Sequence, residues 1–311
     1  MLDSYSRNID YIRMSLTGRC QQKCTYCARE NGGVCLKERE MTADDFIFAA
    51  NAFAELGFRK IRLTGGEPLI RKDIVDTVSG ISALGKYEDI AATTNGLLLE
   101  KLCEPLKDAG LKRINLSLDS TDEAIYKKIT GAELKPVLSA LYKAIETFDT
   151  VKINAVLLKG VNDKPDGLID LARKYPITVR FIELMPMGAA GSGVKNGDLL
   201  ARYPELVPAE KADAHSPETL YTADGFNGKI GFISPVSCSF CGECNRMRLT
   251  WDGKLRPCLG VDRETDVREA ITLRDECALK ALIEKTVKEK PLKNEFENNF
   301  TSARPMTGIG G

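Results

Sequence analysis

Histidine occurs once in the 311-residue chain, at His215, and the 44 basic side chains are cancelled by 44 acidic ones. With one histidine, most zinc sites of mixed cysteine and histidine ligands are excluded. Zero net charge argues against a broadly basic surface that grips nucleic acid, and against a polybasic membrane tether. No apolar run reaches the roughly 18 residues that would suggest a spanning helix. No early stretch joins a basic start, an apolar run and a small-residue cleavage site. Secretion and membrane attachment are therefore not expected, and a cytoplasmic location is. What the chain does have is ten cysteines. Without signs of export, these point to metal or redox chemistry rather than a disulfide framework.

An apolar content of 43% with 28% charged residues describes a globular chain, long enough for one large domain and a smaller appendage. Up to about residue 184, short β-branched stretches alternate with segments of helical spacing. The strands are expected at 11–16, 59–64, 89–94, 113–119, 151–158 and 177–183, the helices at 42–56, 73–84, 99–109, 122–128, 136–147 and 166–174. In 42–56 the positions Phe46, Ala49, Ala50, Phe53 and Ala54 form one apolar stripe, Thr42 with Asp45 forms a capping start, and Gly57 a stop. Six strand–helix units predict an α/β fold with a parallel sheet covered by helices on its outer side. Periodicity leaves open whether the sheet is flat or curled into a partial barrel; either way, ligands are expected at the C-terminal strand ends. Between 186 and 228, Gly188, Gly191, Gly193 and Gly197 with Pro204, Pro208 and Pro217 mark loops and a boundary, which divides the chain into 1–225 and 226–311. The second region carries strand signals at 229–233 and 246–251 and a helix at 274–289. The closing RPMTGIGG is expected to be a flexible tail.

Cys20, Cys24 and Cys27 follow the first predicted strand at C-x3-C-x2-C spacing. Three thiolates are one short of a closed tetrahedral zinc site, whereas a four-iron cluster on three cysteines keeps one iron open to chemistry. Thr64-Gly65-Gly66-Glu67-Pro68 ends the second strand; its glycines let backbone approach a ligand, and Glu67 offers a carboxylate to an ammonium group. Thr93-Thr94-Asn95-Gly96, Ser117 and Met185 add polar or soft groups at later strand ends. The cysteine run with Tyr26 before Cys27, followed by GGEP, resembles the radical S-adenosylmethionine (SAM) enzymes. The resemblance implies a six-stranded partial parallel barrel of TIM type and SAM bound at the open iron. Its sulfonium would be cleaved to a 5′-deoxyadenosyl radical, with SAM contacts at Tyr26, Gly66, Glu67, Ser117 and Met185.

Cys241, Cys244 and Cys258 form a second triad, C-x2-C-x13-C, around a strand–turn–strand segment. A second cluster with an open iron is the economical expectation. A zinc clip would need a fourth ligand, and Cys238 is available for it. Arg246 and Arg248, at i and i+2 on a predicted strand, share a face and suit a phosphate-bearing substrate, although such a pair is usually just solvated. The run from Cys241 through NRMRLTWDG to Cys258, with the terminal Gly310-Gly311, is similar to the GTP 3′,8-cyclase family of molybdenum-cofactor biosynthesis. That resemblance implies a second [4Fe–4S] cluster, on which the guanine of GTP binds. It places the triphosphate on Arg13, Arg62, Lys152, Arg246 and Arg248, with Arg180 and Lys60 as further candidates and Thr93 contacting GTP or SAM. Catalytic roles fall to Arg62, Arg246, Arg248, Gly310 and Gly311. An electron donor, a homodimer and a downstream cyclic pyranopterin synthase belong to the same expectation. Segments 29–40, with Cys35, and 186–220 depart from the family pattern. A peptide-modifying two-cluster radical SAM maturase would share the first triad and GGEP but not NRMR or the GG tail. A zinc or iron–sulfur interaction module would explain the cysteines alone.

Overall fold

The computed structural model of the chain describes residues 1–27, 39–187, 191–211, 215–296, 300 and 302–310. Six strands alternate with helices as expected: β1 (Tyr11–Ser15), β2 (Lys60–Thr64), β3 (Asp89–Thr94), β4 (Arg113–Ser117), β5 (Thr150–Val156) and β6 (Thr178–Ile182). The helices among them are α1 (Ala43–Glu55), α2 (Ile74–Ala83), α3 (Leu99–Asp108), α4 (Glu123–Thr130), α5 (Lys135–Thr147) and α6 (Asp166–Lys174). The capping box of α1 is present, with Thr42 Oγ1 accepting from Asp45 N and Asp45 accepting from Thr42 N. Among the described residues no helix is long and apolar enough to cross a membrane.

Strand residues divide by parity. Ile12, Met14, Ile61, Leu63, Ile114, Leu116, Ile153 and Phe181 pack outward into the helix-covered core. Arg13, Arg62, Thr93, Lys152, Asn154 and Arg180, on the other parity, line an interior cavity. Residues of β1 and of β5 and β6 face that one cavity, so the sheet is curled. It is not closed, and the partial barrel is the fold observed.

The C-terminal region extends the same sheet. After α7 (Asn196–Leu200) come β7 (Val207–Ala209), β8 (Thr219–Thr222), β9 (Lys229–Ile233), β10 (Arg246–Leu249), β11 (Lys254–Arg256) and β12 (Thr265–Asp266), then α8 (Arg268–Thr272), α9 (Glu276–Lys288) and α10 (Met306–Ile309). The strand order is β12-β11-β10-β1-β2-β3-β4-β5-β6-β9-β8-β7. β10 joins β1 in parallel and β9 joins β6 in parallel, which extends the expected six parallel strands to eight. Two sequence expectations are corrected here. The segment 186–228 is not only loop but supplies α7, β7 and β8. The tail is not loose: α10 forms in it, and Ile309 is 1% exposed against Met187, Phe296 and Phe300.

Candidate active site

The two cysteine triads lie toward opposite ends of the parallel strands. Cys20 follows the C-terminal end of β1. Cys244 precedes β10, which runs parallel to β1, and Cys258 follows β11, which runs antiparallel to β10. The second triad is therefore at the N-terminal strand ends, where strand-end rules do not place a ligand. A five-residue strand separates the two ends, roughly 17 Å at 3.3 Å per residue.

The first triad is built by the GGE turn. Gly66 N donates to Thr17 O at 2.7 Å and Glu67 N to Arg19 O at 2.8 Å. A Cβ on Gly66 would lie 2.2 Å from the Arg19 carbonyl oxygen, and one on Gly65 2.6 Å from that of Thr17. The close approach that requires glycine is thus made by the chain entering the cysteine loop. Glu67 differs from expectation. It is 1% exposed, and its carboxylate accepts from Leu69 N at 3.0 Å, the Thr94 hydroxyl at 2.8 Å and Asn95 N at 2.6 Å. It ties the ends of β2 and β3 together instead of presenting a free carboxylate, and burial lifts its pKa to about 7.

Asn95, so positioned, donates to Cys20 Sγ at 3.7 Å. The Tyr26 hydroxyl donates to Asp119 Oδ2 at 2.8 Å, and Asp119 Oδ1 accepts from Val156 N at 2.8 Å. The far side of the cysteine loop rests on α4, with Lys23 N and Thr25 N donating to the carbonyls of Thr130 and Ile129. Burial raises the thiol pKa values of Cys20, Cys24 and Cys27; for Cys24 and Cys27 the neighbouring thiols of the triad add to it. Ser117 ends β4 beside Asn154, and Met185 lines the interior cavity beyond β6.

Inside the curled sheet lies a cavity of about 600 Å³, within the range of small-molecule sites; Cys20, Cys24 and Cys27 are not among the residues that line it. Its wall carries a row of arginines in strict register: Arg248 on β10 pairs with Arg13 on β1, which pairs with Arg62 on β2. Adjacent strands are about 4.8 Å apart, so like charges stand side by side, which costs stability without an anion. Arg13 Nε, Arg62 Nε, Arg246 Nη2 and Thr93 Oγ1 are buried without hydrogen-bond partners among the described residues. Burial, then Arg62 and Arg248, depress the pKa of Arg13, and burial lowers that of Arg248 to about 10. Unpartnered buried donors on clustered cations fit a polyanionic ligand. Arg246 also stacks on Phe240, with 4.8 Å from Cζ to the ring centroid. Lys60 shares the inward parity but does not line the cavity.

The second triad lines this cavity directly. Burial opposes ionisation of Cys244, yet Arg246 and Lys290 outweigh it and bring the thiol to about 6. Asn294 Nδ2 donates to Cys241 Sγ at 3.2 Å. The surroundings of Cys244 favour the thiolate that an iron–sulfur cluster requires, whereas burial raises the Cys258 thiol. Among the described residues no three His, Cys, Asp or Glu side chains close on a single-ion position. Cys238 is exposed and does not line the cavity. Cys35 and Gly311 lie outside the described residues.

Four further groups escaped the sequence reading. Arg7, paired with Asp3 at 2.6 Å, donates to the carbonyls of Cys241 and Pro291, both at 2.7 Å, and so anchors the second cysteine loop. Lys290 Nζ donates to the carbonyls of Arg246 and Pro257. Glu218, 1% exposed, accepts from Lys152 Nζ at 2.8 Å and faces Arg180 Nη1 at 3.8 Å. Asp119 sits in the NLSLD run directly after Leu118 and was the most findable, being an acidic residue at a strand end. Lys152 and Arg180 are thus brought to the cavity, but with an anion already between them.

The family model for the radical SAM superfamily matches residues 14–172, and that for Molybdenum Cofactor Synthesis C matches residues 177–296. A GTP 3′,8-cyclase of Clostridium botulinum (strain Langeland) is 41% identical over 323 residues, and one of Syntrophomonas wolfei 42% over 329, each alignment covering 100% of both chains. The fold is shared with Streptococcus suis SuiB bound to S-adenosylmethionine, at TM-score 0.64 and 17% identity over 90% of this chain and 68% of that one. It is shared also with anSMEcpe with bound AdoMet, at TM-score 0.61 and 15% identity over 92% and 82%. Those two likenesses carry the fold alone, whereas the match to the cyclases spans the full length of both chains. The chain belongs to the radical SAM superfamily and, within it, to the GTP 3′,8-cyclase family of molybdenum cofactor biosynthesis.

Proposed function

We propose that the protein converts GTP to (8S)-3′,8-cyclo-7,8-dihydroguanosine 5′-triphosphate, with residues 1–225 as the SAM-cleaving unit and 226–311 carrying the auxiliary cluster and much of the substrate site. When bound, the cofactors supply a 5′-deoxyadenosyl radical that removes the C3′ hydrogen of GTP, and an open iron that holds guanine. Cys20, Cys24 and Cys27 would hold one [4Fe–4S] cluster, and Cys241, Cys244 and Cys258 the other. Tyr26, Gly66, Ser117 and Met185 would border SAM. Glu67 acts at one remove, fixing Asn95 and the strand ends.

The observation that carries this function is the register row Arg248–Arg13–Arg62, joined by Arg246, in a lumen lined by the second thiol triad. These arginines bind and orient the triphosphate with bidentate forks. Thr93 offers an unpaired hydroxyl in the same lumen. Gly310, seated beside Ser15 and Thr64, accepts from Arg248 through its carbonyl and so holds the tail at the row. We place with this function a cytoplasmic homodimer, an electron donor for the first cluster, and a cyclic pyranopterin synthase that consumes the product.

The test is anaerobic reconstitution with iron and sulfide, followed by SAM, reductant and GTP. Two four-iron clusters give about eight irons per chain, and 5′-deoxyadenosine should form only with GTP. Deoxyadenosine formed without consumption of GTP would favour a maturase; tightly held zinc would overturn both.

A further inference from the structure

Glu218 is a buried carboxylate that the proposed chemistry does not use. It precedes β8, in the stretch where sequence periodicity shows only loop, and it projects into the lumen across β9. The register explains how it reaches there: Arg180 on β6 lies beside Gly231 on β9, which lies beside Leu220 on β8. A Cβ on Gly231 would stand 3.0 Å from Arg180 Cγ and 3.3 Å from Glu218 Cβ. The missing side chain therefore leaves the gap through which acid and guanidinium approach. Glu218 Oε1 accepts from Lys152 Nζ at 2.8 Å, and Oε2 faces Arg180 Nη1 at 3.8 Å. Burial opposes its charge, but Arg180 and Lys152 outweigh burial and hold the carboxyl well below the usual carboxylate range. Arg180 is further committed through Nη2 to Asn115 Oδ1 at 2.6 Å.

The lumen thus has two unlike arms. Among the described residues, Arg13, Arg62 and Arg248 form a row with no carboxylate bonded to them. On the β5–β6 arm two cations share one internal anion. We propose that Glu218 is a specificity-determining counter-anion, which takes Lys152 and Arg180 out of phosphate binding and confines a polyphosphate to the arginine row. An incoming phosphate on the β5–β6 arm meets the negative carboxylate within a few ångströms, whereas on the row it meets the unpaired Nε donors of Arg13 and Arg62 and an Arg248 bonded to the Gly310 carbonyl. The inference rests on the reading of this lumen as the triphosphate site.

The test uses the reconstituted protein and two probes, inorganic tripolyphosphate and guanosine, whose dissociation constants are measured by calorimetry at fixed ionic strength. Glu218→Gln should tighten tripolyphosphate about tenfold, equivalent to about 1.4 kcal/mol, and leave guanosine within about twofold. A merely structural acid would move both probes in the same direction. Gly231→Ala retains every charge but presses on the Arg180–Glu218 contact, and should tighten tripolyphosphate by a smaller factor. Should Glu218→Gln not fold, Gly231→Ala decides alone. Unchanged or weaker tripolyphosphate binding in the variants overturns the inference, as does an equal shift for guanosine. If the probes behave as expected while GTP supports no 5′-deoxyadenosine formation, the cyclase reading fails and the counter-anion stands.

Discussion

The Arg248 guanidinium donates from Nη1 to the backbone carbonyl of Gly310, 62 residues further along the chain. This bond fastens the tail to the β10 end of the arginine row. Gly310 has φ +86°, and a Cβ there would lie 2.9 Å from Ser15 Cβ and 3.2 Å from Thr64 Oγ1. Gly310→Ala should therefore expel the tail and lower GTP-dependent deoxyadenosine formation by about tenfold or more, the scale of a misplaced active-site group. Iron content should be unchanged; full turnover by this variant would show that the seated tail is dispensable.

The paired variant Arg246→Ala with Arg248→Ala removes two of the four arginines that face the cavity from β10, β1 and β2. Loss of one preorganised charge contact in a dry site costs about a hundredfold or more, so cyclisation should fall below detection. Single-turnover assays with product detection by mass spectrometry check this. Retained cyclisation would remove the phosphate-clamp role.

Affinity for GTP should fall as pH rises. Burial, then Arg180, lower the pKa of Lys152 to about 8, whereas a free lysine titrates near about 10.4. Above about 8 the amine becomes neutral, Glu218 keeps its charge, and the lumen becomes one unit more negative. Binding measured from about pH 7 to about pH 9 should weaken several-fold, and Lys152→Met should flatten the profile. The same shift has a sign for stability: the unfolded chain holds this proton more tightly, so this lysine's cost to folding is relieved as pH rises from about 8 towards about 10.4.

Gly66→Ala should act on metal content, not directly on catalysis. Its Cβ would fall 2.2 Å from the Arg19 carbonyl oxygen, and the backbone there has no flexible end to move aside. The loop bearing Cys20 would be displaced. Reconstituted iron should drop by about four per chain while the second cluster survives. Eight irons in the variant would show that the loop tolerates the shift.

Local chemistry was legible in the sequence where its partners are close along the chain. The capping of α1 by Thr42 and Asp45, the two triads and the β10 arginine pair all fall within about 18 residues each. Glu218, Arg7 and Asp119 were not legible as site residues, because their partners lie 66, 234 and 93 positions away. No periodicity carries such distances. The placement of the second triad failed to emerge for a related reason: strand spacing says that β10 exists, but not that it joins β1 in parallel. The bonds by which Glu67 ties β2 to β3 were not legible, because an acid beside glycines reads alike whether it faces a ligand or backbone amides. The tail was misjudged because Ile309 finds its apolar partners among distant residues.

The pairing of β1 with β10 also sets an order for folding. Tyr11 and Arg246 are 235 positions apart and can meet only after the chain between them is available. Until then one edge of β1 stays open, and so does the edge of β6 that later receives β9. An incomplete chain would therefore expose two parallel strand edges at once, a template for misassociation with other chains. Long-range parallel pairing is slow to form. Cells making this protein face a period in which the sheet that will carry both cysteine triads is unsealed on both flanks.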